Sequence, residues 1–245
     1  MPTKQEKRPL NLESGQIFTM KLLAIDTTTE ACSVALYLGG AVVHAYQWAP
    51  QRHAELILPM CEQILSEAQV SLNDLDAIAF GRGPGSFTGV RIGAGIAQGI
   101  ALAKDLPILP ISSLAALAQG MWRERGACRV LAAIDARMSQ VYWAAFIVDD
   151  AGIAQPVTEE RVDAPEALSA PSMAPWAGAG SGWGSYADQL TAVNLTHVDS
   201  DRYPQAYDIA VLGANNFRLG LGIAPELGLP VYVRDDVAKK SVKPA

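Results

Sequence analysis

The chain has 245 residues, 50% of them hydrophobic and 18% charged, with a net charge of −6. That much apolar material buries a substantial core in one domain or two small ones. The acidic balance argues against a positive field able to grip a nucleic-acid backbone unaided, so any RNA is expected to be held through another protein.

Residues 1–19 are polar and mixed in charge and read as a disordered tail. Residues 21–25 form a short apolar strand ending at Asp26, the Thr27-Thr28-Thr29 run turns the chain, and residues 32–38 return as a second strand. Gly39-Gly40 then leads into a third strand over 41–47, completing an antiparallel meander. Leu56, Ile57, Met60, Ile64 and Leu65 recur at helical spacing and predict a helix over 53–68. Residues 77–80 form a strand that runs into a glycine-rich turn, Gly81 to Gly89, and then a long helix over 88–104. A strand over 107–111 and a helix to about Arg123, N-capped by Ser112 or Ser113, follow.

Residues 129–135 and 141–148 repeat the opening: Ala24-Ile25-Asp26 and Ala133-Ile134-Asp135 both end a strand in Asp before a polar turn. The repeat predicts an α/β protein of two related lobes with the actin-like, ribonuclease-H-like plan. The first lobe is placed at 20–110, with a helix over 205–220 returning to it, and a shorter second lobe at 111–245. Beyond Asp149 the pattern thins to a strand entering a glycine-rich turn over 175–183, that late helix, and a last strand over 230–234.

Three constellations bear on chemistry. In the superfamily a glycine two residues after the first Asp lets the backbone approach phosphate, but Thr28 stands there. Asp26 is therefore either a turn carboxylate or a residual nucleotide contact, and Asp135 with Arg137 is either a second such contact or an ion pair. The glycines of 81–89 either cradle an anion at the following helix start or serve a tight connection; no P-loop lysine follows. That helix carries Gly89, Gly93 and Ala97 at four-residue spacing, and also Gly95 and Gly99, although each glycine costs about 1 kcal/mol of helical propensity. Two smooth faces result, which let another helix come close, from the same lobe or from a second chain. His44, His53 and His197 form no HxxxH or HExxH pair, and Cys32, Cys61 and Cys128 no CxxC, so neither zinc site nor disulfide framework is expected. No signal sequence or membrane span is legible, and the expected compartment is the cytoplasm.

The runs LLAIDTTTEACSVAL from Leu22, AFGRGPGSFTGVRIGAGIAQGIAL from Ala79 and VLAAIDARMSQVYWAAF from Val130 resemble the TsaB (YeaZ) family, and VYVRDDVAKK from Val231 continues the likeness. The resemblance implies a non-catalytic paralogue of TsaD, the subunit that transfers a threonylcarbamoyl group to the adenosine beside the anticodon of tRNAs reading codons that begin with A. It implies a heterodimer with TsaD, an added ATPase, TsaE, a homodimer when alone, and tRNA contact only through the complex. The heterodimer would use the first-lobe helices, here with Leu56, Met60, Gly89, Gly93, Gly95, Ala97 and Gly99. No cofactor of its own is implied, ATP entering at the level of the complex. The competing reading is an independent actin-fold kinase, which a complete DxG turn and a longer second lobe would have favoured.

Overall fold

The computed structural model describes residues 20–190, 193 and 195–234. The tail at 1–19 and the end of the VYVRDDVAKK run lie outside the described residues. The first sheet contains β1 (Lys21–Asp26), β2 (Ala31–Leu38), β3 (Ala41–Trp48), β4 (Ala77–Gly83) and β5 (Ile108–Ser112), in the order β3-β2-β1-β4-β5. Pairing is antiparallel among the first three strands and parallel from β1 to β4 and from β4 to β5. The helices α1 (His53–Glu67), α2 (Phe87–Lys104), α3 (Ser113–Arg125), α4 (Ser181–Ser185) and α5 (Ala206–Arg218) surround the sheets.

The second sheet contains β6 (Arg129–Asp135), β7 (Val141–Val148), β8 (Ala154–Pro156), β9 (Arg161–Asp163), β10 (Trp176–Ala179) and β11 (Leu195–Asp199). Its order, β11-β10-β6-β7-β8, mirrors the first sheet, with β9 also pairing with β7. Asp26 and Asp135 therefore end corresponding strands, as the actin-like plan requires. The strand corresponding to β3 is split: β8 pairs with one end of β7 and β9 with the other. Pro156 has no N–H with which to extend the β8 ladder. Strands of three residues are too short to show a period, which is why the sequence pattern thins there.

Period-two alternation sorts the core into layers. Leu22 and Ala24 face α3, α5 and one face of the second sheet, while Leu23 and Ile25 face α1 and α2. Leu131, Ala133, Trp143 and Trp176 point to the far side of the second sheet, against Trp183 and Leu190. α3 and α5 thus lie between the sheets, and α1 and α2 form an outer layer over the first. α1 tolerates an internal Pro59, a residue that costs about 3 kcal/mol in a helix interior, because Ile57, Met60, Cys61, Ile64 and Leu65 are buried. Ser112 is the N-cap of α3, its hydroxyl accepting from the Ala115 N–H at 3.1 Å.

The predicted strand over 230–234 is corrected. Residues 228–234 pair with no strand, and the one backbone bond onto the first sheet runs from the Val231 N–H to the Arg82 carbonyl at 2.8 Å. Pro230 lacks the donor that a continued ladder would need.

Candidate functional site

Two regions correspond to the predicted sites: the junction of the β1–β2 and β6–β7 turns, and the outer layer of α1 and α2. At the junction Asp26 is fully buried, as are Thr27 and Thr28. The Thr28 hydroxyl donates to Asp26 Oδ1 at 2.9 Å, while Oδ2 has no hydrogen-bond partner. Burial pushes the Asp26 carboxyl up to about 7, against hydrogen bonds from Thr28 and Thr27 that pull it down.

The glycine-rich turn closes over this carboxylate. A Cβ on Gly81 would overlap Asp26 Oδ1, one on Gly85 would overlap the Thr28 carbonyl, and one on Gly89 the Thr27 carbonyl. A Cβ on Gly93 would stand 2.7 Å from Thr27 Oγ1. The Ser86 N–H donates to the Thr28 carbonyl at 2.7 Å, and the Ser86 hydroxyl caps α2 by accepting from the Gly89 N–H at 3.3 Å. The predicted anion cradle is therefore filled by the protein's own β1–β2 turn, and glycine is needed for close backbone approach.

Asp135 is only partly buried and sits in a different setting. It accepts from the Tyr186 hydroxyl at 2.8 Å and the Arg137 N–H at 2.8 Å. Burial, and then the bond to Asp135, push the Tyr186 phenol up. The Arg137 guanidinium reaches Asp135 at 3.3 Å and Glu30 at 3.4 Å, joining the two turns across the lobes. A second link between lobes pairs Arg82 with Glu160 at 3.0 Å. Arg234 donates to the Ala136 carbonyl at 3.1 Å and to Gln140 Oε1 at 2.7 Å, holding the β6–β7 turn from the far end of the chain. Glu30, Glu160, Tyr186 and Arg234 were not legible as site residues, because each acquires its role from a partner distant in sequence.

The outer layer divides the predicted partner residues. Gly89, Gly93 and Ala97 are buried on α2, and Met60 is buried on α1. These four pack inside the protein, which corrects the expectation that they meet another chain: the β1–β2 turn and the first sheet occupy that side of the helices. Leu56 is half-buried against the same core. Gly95 and Gly99 are exposed, and a Cβ on either would meet nothing within 4 Å. The second small face of α2 is therefore open along its length.

His53 is buried against the Ala31 carbonyl at 3.2 Å, His44 meets the Tyr207 ring edge-on, and His197 lies with Arg125 and Thr196 in a cavity of about 320 Å³ that shares no residue with either region. Cys32 and Cys61 are buried thiols, both pushed up to about 12 by burial, and Cys128 is exposed. Among the described residues no group of three His, Cys, Asp or Glu is placed to hold a metal ion, and no helix is long and apolar enough to cross a membrane.

Comparison with known proteins agrees with this geometry. A family model described as TsaD, tRNA N6-adenosine threonylcarbamoyltransferase, matches residues 44–241. The tRNA threonylcarbamoyladenosine biosynthesis protein TsaB of Escherichia coli K12 is 45% identical over 227 residues, covering 91% of this chain and 98% of the relative. The TsaB protein of Haemophilus influenzae is 41% identical, covering 91% and 97%. The solved structure of YeaZ from Pseudomonas aeruginosa superposes with a TM-score of 0.84 at 46% identity, covering 87% of this chain and all of that one.

Proposed function

Because the chain belongs to the TsaB (YeaZ) family, we propose that it serves tRNA threonylcarbamoyladenosine biosynthesis as an accessory subunit, binding the paralogous transferase TsaD and, with it, the ATPase TsaE. The observation that carries this reading is the contrast within α2: Gly89 and Gly93 are filled by the protein's own turn, whereas Gly95 and Gly99 stand open. Glycines in a helix interior lower its stability, so an exposed pair with no internal use is explained by a helix that must come close from outside. The same face would support a homodimer when the transferase is absent, since a paralogue built on the same fold presents a corresponding helix pair.

The junction of the turns supports a non-catalytic role. Asp26 lies beneath Gly81 and the threonine run, and Arg137 spans the place where the two turns meet. The chain contributes shape and contacts to the transferase, while nucleotide and tRNA are handled by the assembly, in the compartment where tRNA is modified. Reconstituted threonylcarbamoylation of tRNA with TsaD, TsaE, ATP and the activated donor, with this protein present or omitted, tests the reading. Modification that needs this protein, with none when it replaces TsaD, is the expected result; unchanged modification on omission overturns it.

A further inference from the structure

After α5 the chain does not stop at the first lobe. Ile223 exchanges backbone hydrogen bonds with Ile108 at 2.9 and 3.0 Å, at the start of β5. The Pro225 carbonyl then accepts from Gln98 of α2 at 3.1 Å, and Val231 reaches Arg82. Residues 223–232 therefore run as a strap beside α2, opposite the side flanked by α1. Its apolar side chains point outward: Leu227 is 61% exposed, Leu229 60% and Tyr232 46%. Tyr232 stacks near Phe87, itself 62% exposed, with ring centroids 6.0 Å apart. The Arg91 guanidinium lies 3.3 Å from the Phe87 centroid and 5.1 Å from that of Tyr232. Among the described residues Arg91 has no carboxylate partner.

We propose that this strap is part of the transferase-binding face, continuous with the open glycines of α2, and that Phe87, Arg91 and Tyr232 are its anchor. The inference rests on the reading above and extends the surface it assigns. Gly95 and Gly99 supply close approach but almost no apolar area, and α1 and α2 expose only Leu58, Phe87 and Leu102 as large apolar side chains. A stable interface buries roughly 800 Å² on each partner around an apolar core, more than those residues cover. The strap supplies the missing apolar wall. Clustered aromatics with an arginine are the composition of interface hot spots, and Arg91, with no carboxylate partner among the described residues, suits a carboxylate on the incoming helix. RNA bases also stack on exposed rings, but the net charge of −6 and a Phe87 face already covered by Arg91 favour a protein occupant.

The test titrates purified TsaD into the full-length protein and into the Phe87→Ala/Tyr232→Ala double variant and the Gly95→Trp variant, with thermal melts to check folding. Both variants are expected to bind at least about 30-fold more weakly, the loss of one hot spot. Leu229→Glu gives the same readout should the aromatic pair be needed for folding. Unchanged affinity in the double variant and in Leu229→Glu, with loss in Gly95→Trp, overturns the role of the strap and leaves the α2 reading standing. Unchanged affinity in every variant overturns both. A double variant that keeps TsaD but no longer self-associates in ultracentrifugation assigns the strap to a second copy of this chain. One that keeps TsaD while the assembled complex loses tRNA assigns it to RNA. Either result overturns the proposal.

Discussion

The Thr27 hydroxyl donates to the Gly89 carbonyl at 2.7 Å, while the Thr27 carbonyl occupies the space where a Gly89 side chain would stand. One residue of the β1–β2 turn thus holds the first turn of α2 and fixes its closest approach. The same contact decides which small face of α2 is turned inward and which is left open.

Alanine at Gly89 and at Gly95 should therefore have opposite effects. Gly89→Ala forces a methyl group into a backbone oxygen and is expected to destabilise the isolated protein by about 1–3 kcal/mol or more, beyond any gain in helical propensity. Gly95→Ala enters open space and should stabilise it by up to about 1 kcal/mol, a rise of roughly 2–4 °C in Tm for a chain of this size. Melting curves of the two variants at one concentration check the contrast.

Asp26 sets a pH dependence whose sign follows from its raised value. Below about pH 4 the carboxyl is protonated in both folded and unfolded states and is neutral in effect. Between about pH 4 and its folded value of about 7, the unfolded chain ionises while the native protein keeps its proton, so this group lowers stability as pH rises. The cost levels off above pH 7 at on the order of 4 kcal/mol, three units at about 1.4 kcal/mol each. Asp26→Asn is expected to flatten the decline from pH 5 to 8 in urea unfolding; an unchanged slope would show that Asp26 does not titrate in this window.

The two helices between the sheets are tied by Arg123 of α3, which grips Asp208 of α5 through contacts of 2.9 and 3.0 Å. Asp208 is buried, and burial raises its carboxyl despite the attraction of Arg123. Arg202 and Glu124 complete the cluster at 2.6 Å. Asp208→Ala removes two charge-assisted hydrogen bonds to Arg123, which keeps Glu124 at 2.9 Å as a counter-ion, and should cost about 1.5–3 kcal/mol. The urea midpoint should fall at constant m-value, with a smaller fall for Asp208→Asn.

By contrast, Arg137→Ala breaks only solvent-exposed ion pairs, with Glu30 and Asp135, since the Arg137 side chain is 76% exposed. Stability should change by less than about 1 kcal/mol. The isolated variant and its parent should both melt unchanged in millimolar Mg-ATP, because Asp26 stays closed off beneath Gly81. A nucleotide-dependent rise in Tm in either would reopen the kinase reading.

Most of the first lobe was legible because its signals are local. Asp26 closes an alternating strand, Ser112 precedes an apolar helix, and the glycine-rich turn separates a strand from a helix. The matching endings at Asp26 and Asp135 carried the two-lobed plan for the same reason: the corresponding strands obey the same alternation. The split strand at Pro156 and the strap at Pro230 escaped, because short or proline-broken segments have no period to read.

What the sequence determined by itself was the set of elements of the first lobe, the duplication and the presence of two small-residue faces on one helix, all consequences of periodicity and backbone propensity. Only the tertiary structure decided which face is filled from within and which stands open. Gly89, Gly93 and Ala97 differ from Gly95 and Gly99 by about half a turn of helix, and nothing in their chemistry orders them. The β1–β2 turn, some sixty residues earlier in the chain, fills one face and leaves the other open, so the choice rests on a long-range contact that no local pattern encodes.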